Sequence, residues 1–415
     1  MSKLQISKRL DGVSDSATLR LNAAVQAMKA QGIDVTNLTA GEPDFNVPDS
    51  CKEAMMEAVR TNKSKYTPVG GIPDLRMLVA EKTNQQQPAL QKLLGKAPWA
   101  PANVLVACGA KQSVFNAILA TVSPGAGEQV LIPSPYWLSY PEIVKLAGGV
   151  PKIVECTFEE KFKLTPSKLR RALDAGSGKY RAIIFNSPSN PTGSMYSREE
   201  FQELGRVLAE HSEAKGMWII SDEIYDSITL SKTPFCSFLE AAPQLWERTI
   251  TINGLSKSAA MTGWRIGWSV APKMASDAMS TLQGQSTSGI NAPTQWAGVA
   301  ALKLSPSVFA ENAQIYKKRA ELALEILKNA GKIKVLAPEG AFYLFVGIES
   351  YLREGEDSIQ FAERLLNDAK VAVVPGTPFG EPRYLRLSFA TDEKTLREGC
   401  ERITRFLNSP KQSSQ

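Results

Sequence analysis

One lysine stands in a stretch whose composition is unusual for a charged residue. Lys257 lies among small residues in the segment Asn253–Gly267, directly after the short apolar run Thr249–Ile252. Most lysines stay on the solvated surface, because burying an unpaired ammonium group is costly. A desolvated lysine has a lowered pKa, so its neutral amine can attack a carbonyl carbon and form a Schiff base. The same spacing also fits a strand-to-loop turn with an incidental lysine.

A carboxylate and a phenol follow another apolar run. Asp222 comes shortly after Met217–Ile220, so we expect its carboxylate to be partly desolvated and to need a cation, such as a protonated ring nitrogen. Tyr225 lies three residues further on, close enough to face the same cleft. An ordinary aspartate at a helix N-terminus would show the same pattern.

Two loops offer groups that bind oxygen atoms. Gly109 and Ala110 lie between a predicted strand and a predicted helix, where backbone N–H groups can bind a phosphate. The segment is neither G-x-G-x-x-G nor G-x-x-x-x-G-K-[ST], so it implies neither a dinucleotide nor a nucleoside triphosphate, and a turn without a ligand fits too. Asn190, in the turn Asn190–Gly193, could present its amide to an oxygen atom or only shape the turn.

The elements that would position these residues follow an α/β pattern. Apolar strands are predicted at 103–107, 129–132, 151–155, 181–185, 217–221 and 249–252. They alternate with helices or loops, which predicts a largely parallel central sheet with its ligand site at the carboxyl ends of the strands. After about residue 290 the pattern changes to long helices. Short strands then follow at 342–346, 371–374 and 384–388, which predicts an α+β second domain.

Composition narrows the classes of function. A chain of 415 residues predicts roughly two domains, and the net charge of +6 is mild, with short basic clusters such as Lys317–Arg319, so we expect no nucleic-acid partner. The five cysteines show no C-x-x-C pair and His211 is the only histidine, so we expect no disulfide framework, no metal and a reducing cytoplasm. The N-terminus MSKLQISKRL lacks an apolar core and no run of 18 apolar residues occurs, so we expect neither secretion nor a membrane span.

Taken together, these segments resemble class I and II aminotransferases, fold-type I enzymes that depend on pyridoxal phosphate. The resemblance covers about residues 14 to 408. Beside the lysine stretch it rests on five segments in the family's order: Tyr66–Gly71, Pro133–Tyr140, Ser187–Gly193, Ser221–Tyr225 and Tyr384–Ser388. It implies a large cofactor-binding domain over 46–290, with helices flanking a mostly parallel sheet. A smaller α+β domain would combine 1–45 with 291–415.

The resemblance implies a role for each residue around the cofactor ring. Lys257 would hold the cofactor as a Schiff base and serve as the general base. Asp222 would keep the pyridine nitrogen protonated, which makes the ring an electron sink. Tyr225 and Asn190 would donate hydrogen bonds to the phenolic oxygen of the ring, and Trp137 would stack on its face.

The resemblance also implies how the phosphate is bound. The backbone N–H groups of Gly109 and Ala110 would meet it together with Ser256, which precedes the lysine. Arg265, eight residues after the lysine, would bind it through a bidentate fork. Tyr66 would reach the phosphate from a second subunit, so we expect a homodimer.

The substrate contacts follow from the same resemblance. Arg386 would clamp the α-carboxylate, with the backbone N–H of Gly41, Trp137 and Asn190 also in contact with the substrate. Lys111 would pair with a distal carboxylate. This favours L-aspartate as amino donor and 2-oxoglutarate as acceptor, in a ping-pong exchange between the pyridoxal and pyridoxamine forms.

Several alternatives remain open at this level. Arg383 competes with Arg386, although the Arg-x-Ser spacing favours the latter, and Lys111 also fits an ordinary lysine at a helix start. This chain has Gly289 where the aspartate branch tends to offer a hydroxyl group from the other subunit, and a residue of 286–288 could substitute. An aromatic or kynurenine-type aminotransferase and a C–S lyase would use the same cofactor residues. A transcription regulator of this fold would need a DNA-binding module, and only about 13 residues precede the first predicted helix.

Overall fold

The computed structural model describes residue 4 and residues 6–14, 17–176 and 178–409. Parts of the predicted end segments, 1–45 and 291–415, therefore lie outside the described residues. Within the described ranges the strands are β1 (Thr36–Asn37), β2 (Val104–Cys108), β3 (Gln129–Ser134), β4 (Val150–Glu155), β5 (Tyr180–Asn186), β6 (Trp218–Asp222), β7 (Thr249–Gly254), β8 (Ile266–Val270), β9 (Lys334–Val335), β10 (Tyr343–Gly347), β11 (Val371–Ala372), β12 (Val374–Pro375) and β13 (Tyr384–Ser388).

Helices cover the sheets and often begin at a residue that suits a helix start. The α-helices of the same ranges are α1 (Ala17–Ala30), α2 (Asp49–Arg60), α3 (Pro73–Gln86), α4 (Pro88–Leu94), α5 (Ala110–Thr121), α6 (Ser139–Leu146), α7 (Pro166–Asp174), α8 (Arg198–Glu210), α9 (Phe238–Ala241), α10 (Leu255–Ser258), α11 (Lys273–Gly284), α12 (Ala292–Leu302), α13 (Pro306–Leu327), α14 (Ser358–Ala369) and α15 (Glu393–Leu407). Ser197 caps α8 by accepting from the N–H of Glu200, whose side chain accepts in return from the N–H of Ser197. None of the described helices is both long and apolar enough to cross a lipid bilayer.

Seven strands form the large sheet, in the order β2-β8-β7-β6-β5-β3-β4. All neighbours pair in parallel except β8, which runs antiparallel to β2 and β7. The predicted α/β fold with a mostly parallel sheet is confirmed, and the strand bounds differ from the prediction by only one or two residues. β8 was not predicted. Because β8 runs antiparallel to its neighbours, it begins at the edge of the sheet where they end. Arg265, the residue before β8, therefore lies at that edge.

Apolar runs form the inner strands because both faces of the sheet are covered there, whereas the edge strand β4 is largely exposed. Ile219 and Ile220 are adjacent in β6, fully buried, and belong to separate apolar clusters on the two faces. Ile250 and Ile252 of β7 are also fully buried. Burying each such side chain contributes about 1.5–3 kcal/mol, so the sheet is a rigid base for the loops at its edge.

A second, antiparallel sheet has the order β12-β13-β10-β9, and α13, α14 and α15 pack beside it. The predicted strand 371–374 is in fact two short strands, β11 and β12. β1 from the N-terminal part pairs in parallel with β11, with Thr36 opposite Val371. The backbone N–H of Ser388 also donates to Leu38 O. Segments from both ends of the chain are therefore in direct contact.

Candidate active site

A cavity of about 610 Å³ lies where the large sheet meets the second sheet. Its volume falls in the range typical of small-molecule sites. All predicted site residues except Gly109 and Tyr66 line it: Gly41, Ala110, Lys111, Trp137, Asn190, Asp222, Tyr225, Ser256, Lys257, Arg265 and Arg386. The loops at the carboxyl edge of the parallel sheet thus meet as predicted, together with Arg386 of β13.

Lys257 is held near the sheet edge by the tight passage from β7 into the one-turn helix α10. A Cβ atom on Gly254 would lie only 2.8 Å from the carbonyl oxygen of Ile266, so this passage needs glycine. The Lys257 amine donates a hydrogen bond to Gly41 O. Burial, followed by the positive charge of Arg386, lowers the pKa of Lys257 to about 8. This lowered pKa makes a neutral amine accessible near physiological pH.

Asp222 ends β6 and is buried in the floor of the cavity. Its carboxylate accepts a hydrogen bond from Tyr140 Oη at 2.7 Å and another from the backbone N–H of Ile224 at 3.3 Å. Burial raises the pKa of Asp222 to about 6, although the Tyr140 hydrogen bond and the Lys257 charge oppose the rise. A cationic ring nitrogen would add to the counter-charge that Lys257 supplies to this carboxylate. No pattern in the sequence indicated this role for Tyr140.

Tyr225 contacts a tyrosine that no sequence pattern indicated, and Asn190 contacts the predicted Arg386. The hydroxyl oxygen of Tyr225 lies 3.0 Å from that of Tyr343, which also lines the cavity. The side-chain oxygen of Asn190 accepts a hydrogen bond from Arg386 Nη1 at 3.0 Å. The backbone N–H of Asn190 donates to Asn186 Oδ1 at 2.9 Å, which fixes the turn.

Gly109 and Arg265 form a cradle at one end of the cavity. Gly109 has φ +78°, and a Cβ atom there would lie 2.6 Å from Arg265 Nη2. Arg265 itself has φ +58° and donates to Cys108 O at 3.0 Å and Thr262 O at 2.7 Å. α5 begins at Ala110, so its free N–H groups lie at this end. Helix N–H groups with a guanidinium group are a donor set suited to a phosphate.

Arg386 lies on β13 and is buried. Its Nη1 and Nη2 donate to Asn190 Oδ1 and Thr39 O, both at 3.0 Å. Its Nε is buried and has no hydrogen-bond partner among the described residues. A guanidinium group has five N–H donors, so this one retains donors for an anion. Arg383 points elsewhere, since it pairs with Glu381 at 2.9 Å and does not line the cavity.

Lys111 follows the start of α5 and lines the cavity beside Trp137. Its amine lies 5.0 Å from the centre of the Trp137 ring. Burial, and then the charge of Arg265, lowers the pKa of Lys111, and no acidic side chain among the described residues acts on it. Trp137 meets Tyr140 edge to face, with ring centres 5.3 Å apart. The Lys111 charge is therefore available for a ligand.

Residues that were expected to act across a subunit boundary do not line the cavity. Tyr66 is 97% exposed. Thr287 accepts a hydrogen bond from Gln112 Nε2 at 3.1 Å, and Gly289 lies beside Val69. A contribution of Tyr66 or of 286–288 to a second subunit's cavity stays a prediction.

The fold is α/β, and its cavity places a donor set suited to a phosphate beside the amine of Lys257. The chain matches the family described as aminotransferase class I and II over residues 33–403. It belongs to this family, whose members are enzymes that depend on pyridoxal phosphate.

Relatives and solved structures agree with this assignment. The probable aspartate/prephenate aminotransferase of Rhizobium leguminosarum bv. phaseoli is 39% identical, over 98% of this chain and 99% of the relative. The aspartate aminotransferase of Geobacillus stearothermophilus is also 39% identical, over 98% and 100%. The solved aspartate aminotransferase of Thermus thermophilus with maleate is 39% identical, covers 97% of this chain and 100% of its own, and has a TM-score of 0.87. These neighbours confirm the predicted fold-type I architecture and aminotransferase activity.

Proposed function

We propose that the protein transfers the amino group of L-aspartate to 2-oxoglutarate, with pyridoxal phosphate held in the described cavity. One observation carries the proposal: a lysine with a lowered pKa, a buried carboxylate and two arginines face the same space. When bound, pyridoxal phosphate supplies the electron sink for the substrate α-carbon and carries the amino group between the two substrates.

The residues around the cavity suit each part of that cofactor. The cradle of Gly109 and Arg265, with Ser256 and the start of α5, would bind the phosphate. Asp222 would hold a proton on the ring nitrogen, since its carboxylate is buried and Lys257 is the one cation among the described residues that lowers its pKa. Tyr225 and Asn190 would orient the ring through its phenolic oxygen, and Trp137 would cover one ring face.

Lys257 would move the proton at the substrate α-carbon. A pKa of about 8 allows its amine to accept that proton and return it at neutral pH. The Lys257 amine reaches Gly41 O in the loop that follows β1. We propose that this loop, with the N–H of Gly41, meets the substrate carboxylate and excludes water from the amine.

The charges of the cavity favour an acidic substrate. Arg386 would bind the α-carboxylate with its remaining N–H donors, and Lys111 would bind the distal carboxylate. Of the residues that the structure describes, four basic side chains and two acidic ones line the cavity: Lys111, Lys257, Arg265 and Arg386 against Glu42 and Asp222. The similar Thermus thermophilus enzyme was solved with maleate, a dicarboxylate, and other relatives carry prephenate in their names.

We further propose a cytoplasmic homodimer with two domains, 46–290 and 1–45 together with 291–415. The pairing of β1 with β11 supports the joined end segments. The exposed ring of Tyr66 supports a second subunit beside it, and the five free cysteines suit a reducing compartment. One chain has a mass of 45.2 kDa, and light scattering should give twice that mass.

A first experiment tests the cofactor. The purified protein should absorb visible light, and borohydride should fix the cofactor to the Lys257 peptide in a mass spectrum. Lys257→Ala should lose the fixed adduct, whereas Lys273→Ala, at an exposed lysine paired with Asp277, should retain it. An adduct that persists in Lys257→Ala would refute the assignment of the amine.

A second experiment tests the substrate. A screen of amino acids for cofactor conversion should give L-aspartate the highest kcat/KM, with 2-oxoglutarate as acceptor. Lys111→Ala should lower kcat/KM for aspartate by about 100-fold and for alanine by less than about threefold, because it removes one charge-assisted hydrogen bond. An equal loss on both substrates contradicts the role of Lys111. Preferred turnover of an aromatic amino acid, or release of a thiol, would favour the other two reactions.

A further inference from the structure

We propose that Tyr343 positions both ends of the candidate site, since its hydroxyl group holds the Tyr225 hydroxyl group and its ring supports the Arg386 guanidinium group. Tyr343 lies on β10 and lines the cavity, although the sequence pattern places it only within a predicted strand and indicates no role in the site. The inference rests on the proposed function, in which Tyr225 meets the ring oxygen of the cofactor and Arg386 meets the substrate carboxylate.

The hydroxyl groups of Tyr343 and Tyr225 form a buried pair. Their oxygen atoms are 3.0 Å apart, and their rings meet edge to face with centres 6.0 Å apart. Tyr343 is 0% exposed and Tyr225 3% exposed, so neither hydroxyl group can exchange this bond for bulk water.

The chemistry of a hydroxyl group sets the direction of this bond once a ligand is present. Each hydroxyl group has one proton to donate and two lone pairs to accept. If Tyr225 donates its proton to a ligand oxygen, it must accept the proton of Tyr343. Hydrogen bonds in such a chain polarise one another, so Tyr343 makes Tyr225 a stronger donor to the ligand.

The ring of Tyr343 also lies under the guanidinium group of Arg386. The Cζ atom of Arg386 is 4.4 Å from the centre of the Tyr343 ring and 5.2 Å from that of Phe379. β10 and β13 are antiparallel neighbours in which Phe345 is opposite Arg386, so Tyr343 lies two residues along the same strand. Hydrogen bonds to Asn190 and Thr39 fix the edge of the guanidinium group, and the ring face fixes its plane.

Both phenols keep their protons in this environment. Burial raises the pKa of Tyr225 and of Tyr343, and the positive charge of Arg386 opposes the rise in each. Among the described residues, the other titratable groups that interact with the pair are Asp222, Lys257, Tyr140 and Tyr316. Tyr343 is therefore a neutral donor over the working pH range, as the proposed direction of the bond requires.

The hydroxyl role can be read from the absorption of the bound cofactor in the holoenzyme. We expect Tyr343→Phe to raise the pH midpoint of the visible absorption change by roughly 0.5–1 unit, the size expected for one weakened hydrogen bond. The midpoint rises because a ring oxygen that receives a weaker hydrogen bond holds a neighbouring proton more firmly. In a Tyr225→Phe background the same substitution should add no shift, because its path to the cofactor is gone. An unmoved midpoint, or equal shifts in both backgrounds, overturns the proposal.

Steady-state kinetics test the role of the Tyr343 ring separately from that of its hydroxyl group. Tyr343→Phe keeps the ring under Arg386, so the KM for the amino-acid substrate should stay within about twofold of the wild-type value. Tyr343→Leu removes the ring as well and should raise KM by about tenfold, the equivalent of a lost cation–π contact in a desolvated site. It should also shift the absorption midpoint as Tyr343→Phe does, which keeps the hydroxyl role testable in a second variant. Equal KM values in the two variants contradict the ring role.

A matched control is the buried phenol of Tyr180, which donates to Ala172 O at 2.8 Å at the start of β5, the end of the strand away from the cavity. Tyr180→Phe should change neither the midpoint nor KM. A wild-type protein without a visible band refutes the proposed function and this inference with it. A normal wild-type band with an unmoved Tyr343→Phe midpoint refutes the inference alone.

Discussion

Replacing Lys257 by methionine should stabilise the cofactor-free protein near neutral pH, although it removes the central amine of the site. Burial and the positive charge of Arg386 lower the pKa of Lys257 from 10.5 to about 8. The folded protein therefore holds the ammonium group at a cost that the unfolded chain does not bear. At 1.36 kcal/mol per pH unit, the ceiling of that cost is about 3 kcal/mol. Loss of the hydrogen bond to Gly41 O offsets about 1 kcal/mol of the gain.

The sign of the pH dependence follows from the direction of the shift. Below pH 8 both folded and unfolded lysine are charged, so the cost is fully present in the wild type. Between pH 8 and 10.5 the folded protein binds fewer protons than the unfolded chain, so its stability rises with pH. The wild type should gain about 2–3 kcal/mol relative to Lys257→Met between pH 7 and pH 10.

Thermal unfolding of the cofactor-free proteins at pH 7, 8.5 and 10 measures this gain. For a chain of this length it amounts to about 3 °C in the difference between the two Tm values, by extrapolation from smaller domains. Lys303→Met, at an exposed lysine at the end of α12, should show no comparable change with pH. A Tm difference between Lys257→Met and wild type that stays constant over this pH range would refute the reasoning, as would a variant that is less stable at pH 7.

Two further substitutions test neighbouring parts of the site. Tyr140→Phe removes the strongest hydrogen bond to Asp222 and should move the acid limb of the kcat/KM profile upward by about one pH unit, with an unmoved limb as the contrary result. Gly109→Ala places a Cβ atom against Arg265 and should weaken pyridoxal phosphate binding by about tenfold or more in a fluorescence titration. Gly263→Ala is the matched control, because among the described residues none except its chain neighbours lies within 4 Å of the added Cβ atom. Equal affinities for the two variants would argue against the cradle.

Most of the large sheet could be predicted because its inner strands are apolar runs buried on both faces, whereas the edge strand β4 is largely exposed. β8 escaped prediction because Gly267 and Ser269 interrupt its apolar residues, although all five of its residues are buried. Gly267 is required by packing: a Cβ atom there would lie 2.2 Å from Ala110 N. The sequence shows a glycine at this position, and only the packed structure shows which backbone it meets.

Some residues of the candidate site could likewise be predicted from the sequence, and others could not. Asp222 and Lys257 could be singled out because each follows an apolar strand, and the sheet brings strand ends together. Tyr140 and Tyr343 could not, because their partners Asp222 and Tyr225 are 82 and 118 positions away in the sequence. Tyr343 lies within a strand, where an aromatic side chain is typical of an ordinary core residue. Such pairs arise from tertiary packing, which no local pattern reports.

The cavity contains more positive than negative charge, so its own acidic groups cannot neutralise its basic groups. Four basic side chains and two acidic ones line it, and Arg386 is buried with its Nε unpaired among the described residues. Like charges that share a desolvated space raise the free energy of the folded protein. A phosphate at the Gly109 end and a carboxylate at the Arg386 end would each remove part of that cost. Cofactor and substrate should therefore stabilise the fold as well as react in it, and a dicarboxylate should protect the holoenzyme against unfolding more than a monocarboxylate of equal size.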